Sequence, residues 1–199
     1  MSADSSLRSR VDAIGRPIFR LLHETFGLSP AAITYVSLAL SLGAAVAIAL
    51  QHLHAGLALM AASQIFDGFD GGIARTYGIG TPAGQRLDTL ADRIGEVAIF
   101  LAFAVAGTVT LKAVILALVA IALVTSIETR SGFDPGFKRF VLYFGLIWPY
   151  PTLFTVIFGA NLAVYVIGLL IIDCKFQVKM DELGGDLDTV ASRAVALEK

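Results

Sequence analysis

Asp67 and Asp70 stand three residues apart, Asp88 and Asp92 four apart, and all four interrupt stretches otherwise apolar enough to span a membrane. At helical spacing each pair occupies one face of its helix. Carboxylates are hard oxygen ligands of the kind that suits Mg²⁺ or Mn²⁺. An unpaired Asp at the centre of a bilayer costs ~3 kcal/mol and four cost on the order of 10 kcal/mol, less where they approach the interface. Arg75, Arg86 and Arg93 are the only cations nearby in sequence, so divalent cations are the simplest source of the missing positive charge.

The polar, glycine-rich turn from Thr76 to Thr81 separates the two pairs. Two helices joined by it form a hairpin that carries both pairs towards one end and lets them converge on a single metal centre. Gly68, Gly71, Gly72 and Gly84 lie inside these helices, although glycine costs up to ~1 kcal/mol there relative to alanine. Close helix packing through small residues explains Gly68 and Gly72. For Gly71 and Gly84, in register with the carboxylates, approach of a ligand is at least as good an explanation.

The elements that position these residues belong to a membrane. The chain has 56% hydrophobic and 16% charged residues and a mean hydropathy of +0.77, far from the averages of soluble domains. A span needs about 20 apolar residues to cross ~30 Å of hydrocarbon. Six such stretches are predicted, near 30–51, 55–75, 82–106, 110–128, 135–149 and 152–174. The fifth is short and ends at Trp148-Pro149-Tyr150-Pro151, where prolines interrupt a helix and aromatics suit an interfacial belt. Ser29-Pro30, Thr81-Pro82 and Asp134-Pro135 each offer a side-chain cap followed by proline at the first helical position.

With the N-terminus in the cytoplasm, every lysine and arginine except Lys112 falls inside, which fixes orientation and favours an even number of spans. Leu7, Val11, Ile14, Ile18 and Leu21 recur at helical spacing among arginines, predicting an amphipathic helix in the interface, bent at Pro17. A plain surface helix is the alternative. The polar residues Met1 to Ser6 carry no signal-peptide pattern, and the single Cys174, next to Lys175 near the end of an apolar run, reads as a packing residue. The expected fold is thus an all-α integral membrane protein with six transmembrane helices and an N-terminal interfacial helix. Its parts are a cytoplasmic N-terminus with that helix (1–29), a transmembrane catalytic domain (30–176) and a cytoplasmic tail (177–199). A net charge of −1 gives no general attraction to nucleic acid.

The hairpin reads Asp67-x-x-Asp70-Gly71-x-x-Ala74-Arg75, then eight residues, then Gly84-x-x-x-Asp88-x-x-x-Asp92. This resembles the signature of the CDP-alcohol phosphatidyltransferase family at every defining position. The resemblance implies that Asp67, Asp70, Asp88 and Asp92 hold two Mg²⁺ or Mn²⁺ ions and that Asp92 also serves as catalytic base. It further implies that Asp67, Gly71, Ala74, Arg75, Thr81 and Gly84 bind the CDP moiety of a CDP-lipid, and that a homodimer forms. Ser29-Pro30-x-x-x-Thr34 resembles the start of the family's first span, but Ala31 stands where an Asn is common, which removes one expected nucleotide contact. The expected reaction passes a phosphatidyl-type group to a small alcohol and releases CMP. Arg130, Lys138 and Arg139 around the turn Ser131 to Gly136 resemble the residues that bind the acceptor phosphate in inositol-phosphate-using members. Glycerol phosphate and serine are the alternative acceptors.

Other polar residues carry less. Glu96 either supports Asp92 from one turn away or pairs with Arg93; Glu128, at a helix end, reads as interfacial. His23, His52 and His54 lack metal-ligand spacing to the aspartates, and Phe137, Phe140 and Phe144 read as a lipid-facing stripe. An intramembrane prenyltransferase also uses paired aspartates, but it needs more spans and lacks the Gly71, Ala74, Arg75 pattern. A cation transporter could bury acids as well, without any nucleotide.

Overall fold

The computed structural model describes residues 15–131 and 139–197, and the side chains of 15–127 and 139–177. All of the regular structure among them is helical. The chain falls into two compact units, Met1–Val114 and Ile115–Lys199.

In the first unit, residues 15–20 are helical and continue into a π-helical turn, Leu21–Thr25. Three long helices follow: α1 (Pro30–Ala49), α2 (Leu53–Tyr77) and α3 (Pro82–Val105). Their starts follow the predicted caps. Ser29 Oγ accepts from the Ala32 amide at 3.2 Å, Thr81 Oγ1 accepts from the Gly84 amide at 3.0 Å, and proline sits at the first helical position of each. Gly78 ends α2 in the left-handed conformation, φ 64°, which glycine adopts without strain. The third predicted cap, Asp134-Pro135, lies outside the described residues.

α1 packs against both α2 and α3. Ile33 and Ile48 of α1, Met60 and Ile73 of α2, and Ile99, Phe100 and Phe103 of α3 are fully buried. Between α1 and α2 runs a polar seam: Ser37 donates to the Ser63 carbonyl at 3.0 Å, and Ser41 Oγ lies 2.8 Å from Ser63 Oγ. In hydrocarbon such hydroxyls need partners, and two helices that supply them to each other fix their register. At the far end, Gln51 Nε2 donates to the Ala106 carbonyl at 3.3 Å, tying the α1–α2 turn to the end of α3. The start of α1, the end of α2 and the start of α3 therefore share the opposite end.

The segment before α1 differs from expectation. Pro17 lies within the helical stretch, and the irregularity falls at the π turn. Ile18 and Leu21 are exposed, as an outward apolar stripe requires, but Phe19 is buried against Ile33 and Ile73. Its ring sits where a Cβ on Gly72 would be and meets Phe69 edge-on at 6.1 Å. Gly72 is thus a packing glycine, whereas Gly68 faces open space. Leu7, Val11 and Ile14 lie outside the described residues.

α4 (Leu111–Ser131) leads into the second unit, which also contains α5 (Phe140–Tyr143), a 3₁₀ turn (Phe144–Leu146) and α6 (Tyr150–Leu197). Residues 139–149 do not form the single apolar span predicted over 135–149. The tighter 3₁₀ turn contains Gly145, whose missing side chain leaves room for the Tyr150 ring, and Pro149 opens α6 by accepting from Thr152 at 3.0 Å. α6 runs unbroken past residue 177, where a separate tail was expected. Cys174 on it is exposed rather than packed. Among the described residues, two helical stretches are both long and apolar enough to cross a membrane, Pro30–Ala49 and Tyr150–Gln177. α2 and α3 have the length, 25 and 24 residues, but their charged residues lower the hydropathy. The apolar part of α4, Leu111–Ile127, is shorter.

Candidate active site

At the shared end of α1, α2 and α3 a cavity of about 590 Å³ opens, within the usual size of a small-molecule site. Seven of the predicted site residues line it: Asp70, Gly71, Ala74, Arg75, Thr81, Gly84 and Asp88. Helix periodicity explains the set, since Asp70, Gly71, Ala74 and Arg75 lie on one face of the last turns of α2. Thr81, Gly84 and Asp88 follow the opening turn of α3.

Asp67, Asp70 and Asp88 each bring a carboxylate oxygen within 4.8 Å of the others. Asp92, one turn beyond Asp88 and half-buried, stands outside this group. The Asp67 and Asp88 carboxylates lie within 4.8 Å of each other, a separation at which two ionised groups repel unless a proton or a cation offsets their charge. Asp88 Oδ1 is buried and has no hydrogen-bond partner. A buried orphaned carboxylate oxygen beside two further carboxylates is a donor set suited to a hard divalent cation. The residues present fit such an ion.

The two glycines in question have distinct surroundings. A Cβ on Gly71 would lie 3.1 Å from Arg75 Nη1, and one on Gly84 would lie 3.2 Å from the capping Thr81 Oγ1. Neither glycine packs against a neighbouring helix, and both border the cavity.

The cavity also includes residues outside the predicted set. Pro30, Ala31 and Thr34 enter from α1, Ile79 and Gly80 from the turn and Gln85 from α3. Ala31 presents only a methyl group. Thr34 donates to Asp70 Oδ2 at 2.5 Å. In sequence it shows only as a hydroxyl within an apolar span and as the last position of Ser29-Pro30-x-x-x-Thr34, neither of which points to Asp70.

The remaining polar residues resolve simply. Glu96 is buried and pairs with Arg93 at 3.0 Å, so its partner is the arginine. His23 bonds the Leu28 carbonyl at 3.0 Å and lies on the Tyr77 ring at 4.5 Å; Tyr77 in turn donates to Glu24 at 2.8 Å. His52 and His54 are exposed. Phe140 and Phe144 are exposed, as a lipid-facing stripe would be; Phe137 lies outside the described residues. Arg139 is half-buried at the start of α5, in the second unit. Lys138 and the side chains of Glu128 and Arg130 lie outside the described residues.

The chain resembles crystal structures of Mycobacterium tuberculosis phosphatidylinositol phosphate synthase (PgsA1). The complex with manganese and citrate superposes with a TM-score of 0.65 at 22% identity, over 78% of this chain and 87% of that one. The apo form gives 0.59 at 23% identity, over 81% and 93%. The form with CDP-DAG bound gives 0.61 at 22% identity, over 83% and 92%. At these identities the likeness speaks for the fold. No curated protein matches the sequence. The sequence profile of CDP-alcohol phosphatidyltransferase matches residues 28–176, a stretch that contains the cavity, the three clustered carboxylates and Asp92, and the chain belongs to the CDP-alcohol phosphatidyltransferase family, as an enzyme of that transferase type.

Proposed function

We propose that this enzyme transfers the phosphatidyl group of a CDP-lipid, CDP-diacylglycerol or an archaeal equivalent, to a phosphorylated polyol such as inositol phosphate, releasing CMP. The observation that carries the reading is that Asp70 and Asp88, two of the three clustered carboxylates, line the same cavity as Gly71, Ala74, Arg75, Thr81 and Gly84. Two Mg²⁺ or Mn²⁺ ions held by Asp67, Asp70, Asp88 and Asp92 supply charge neutralisation of the diphosphate and of the departing CMP. The manganese complex and the CDP-DAG complex of PgsA1 support this donor and this metal class.

The protein's own groups do the rest. Gly71 and Gly84 leave room for the nucleotide beside the backbone, and Arg75 clamps a phosphate oxygen. Asp92, outside the carboxylate group, takes the proton of the acceptor hydroxyl as its oxygen attacks the lipid-linked phosphorus. A new oxygen–phosphorus bond forms, the bond to the CMP oxygen breaks, and no covalent enzyme intermediate is needed. Arg130, Lys138 and Arg139 bind the acceptor phosphate.

The working arrangement crosses the cell membrane six times, the fifth through the interrupted helical turns that precede Pro149 rather than through one regular helix, with site and termini cytoplasmic and the N-terminal helix on the membrane surface, assembled as a homodimer. The charge distribution along the sequence supports the orientation and the even number of spans; the homodimer rests on the family resemblance.

The test offers purified enzyme CDP-diacylglycerol with inositol 1-phosphate, glycerol 3-phosphate, inositol and serine in parallel. Inositol 1-phosphate should be used best, and Arg139→Ala should raise its KM strongly while leaving the KM for CDP-lipid nearly unchanged. Efficient use of inositol or serine, with an unchanged acceptor KM in Arg130→Ala and Arg139→Ala, rejects the acceptor assignment. Activity should vanish in EDTA and return with Mg²⁺ or Mn²⁺; full activity in chelator rejects the metal.

A further inference from the structure

Thr34 belongs to α1, a helix without a carboxylate, yet its hydroxyl meets one. It is 3% exposed, and Asp70, whose Oδ2 it bonds across the α1–α2 interface at 2.5 Å, is 5% exposed. The same hydroxyl lies 3.1 Å from the Pro30 carbonyl. A hydroxyl has one proton to give, and an ionised carboxylate is the stronger acceptor. Elsewhere in these helices threonine does the ordinary thing: Thr89, Thr125 and Thr155 bond only the carbonyl four residues back, at 2.9 to 3.0 Å. Thr34 differs in reaching a neighbouring helix. Deeper in the same seam, Ser37 and Ser41 bond Ser63 without touching the aspartate cluster.

We propose that Thr34 is a positioning residue for the metal centre. From α1 it holds Asp70 Oδ2, restricts rotation of the carboxylate, and leaves the other oxygen for the cation shared with Asp67 and Asp88. Outer partners of this kind commonly govern metal affinity by about 10- to 100-fold. The serine seam sets helix register; Thr34 sets ligand orientation. This inference rests on the metal reading above.

The experiment measures Mn²⁺ binding to the purified full-length protein from the free-ion electron paramagnetic resonance signal, alongside thermal stability and the metal-activation curve. Thr34→Val should weaken Mn²⁺ binding by about tenfold and shift the activation curve equally, with little change in CDP-lipid KM at saturating metal. Thr34→Ser, which keeps the hydroxyl, should restore most of the affinity. Ser63→Ala should lower the melting temperature and leave Mn²⁺ affinity unchanged. Thr34→Ala is read in the same way if the valine variant does not fold. Wild-type affinity in the hydroxyl-free variant, or an equal loss in Ser63→Ala, overturns the role of Thr34 alone. No Mn²⁺ bound by the wild type, or equal binding by Asp70→Asn, overturns the metal centre with it.

Discussion

Near the start of α2, Gly56 lies against α1, where an added Cβ would collide with the Ile48 side chain and approach the Ala44 carbonyl oxygen to 3.1 Å. Near the end of the same helix, Gly71 borders the cavity and has only the flexible Arg75 guanidinium within reach of a Cβ. The deep half of α2 thus uses small and hydroxylated residues, Gly56 and Ser63, to bring two backbones together. The outer half uses Asp67, Asp70, Gly71 and Arg75 to keep space and charge for something else. One helix holds both jobs because packing is settled a few turns away from the chemistry. A glycine is therefore read by what stands opposite it, since its own conformational cost is the same at either end.

The sharpest division should come from Asp92. Asp92→Asn is expected to lower kcat by about 10²- to 10⁴-fold, the usual contribution of a positioned base, while CDP-lipid binding stays close to wild type. Asp67→Asn should lose both. Single-turnover kinetics with equilibrium binding separates these results, and near-normal turnover in Asp92→Asn would remove it as the base.

Next in size is Gly56→Ala, expected to cost ~1–3 kcal/mol through overpacking against Ile48, seen as a lower melting temperature with unchanged KM values. Gly71→Ala should do the reverse, raising the CDP-lipid KM several-fold with the melting temperature held. If the two variants behave alike, the contrast between the halves of α2 fails. The smallest effect belongs to Gly68→Ala. With nothing within 4 Å of its added Cβ, it should stabilise by up to ~1 kcal/mol through helix propensity alone.

Much of the site was legible because it is local. Asp67 with Asp70, and Asp88 with Asp92, announce their shared faces through spacing, and a short turn allows little choice about where Asp88 meets the first pair, although Asp92, one turn further on, stands outside the group. Ser29 and Thr81 mark their helix starts through capping chemistry that acts within three residues. Thr34 was not legible as a partner of Asp70, because their contact joins residues 36 apart and depends on how α1 and α2 register. Phe19 was missed for a related reason: it falls off the stripe of Ile18 and Leu21, and the notch that receives it is made by a glycine on another helix. Hydropathy over 135–149 suggested a span, but the backbone there follows Gly145 and Pro149. Beyond Gln177 polarity suggested a tail, yet the segment has no proline to stop the helix, and Gly184 and Gly185 do not break it.

The ring of Phe19 over Gly72 has a practical side for anyone shortening this protein. Cutting the chain as far as Arg16 spares it, but cutting a few residues further removes a wedge from behind the helix that carries Asp70 and Gly71. The void would be about one phenyl ring in size, and emptying such a position costs ~3–5 kcal/mol when the surroundings do not collapse. A trimmed enzyme that loses activity would then have lost the backing of its site, with every residue that touches substrate still in the chain.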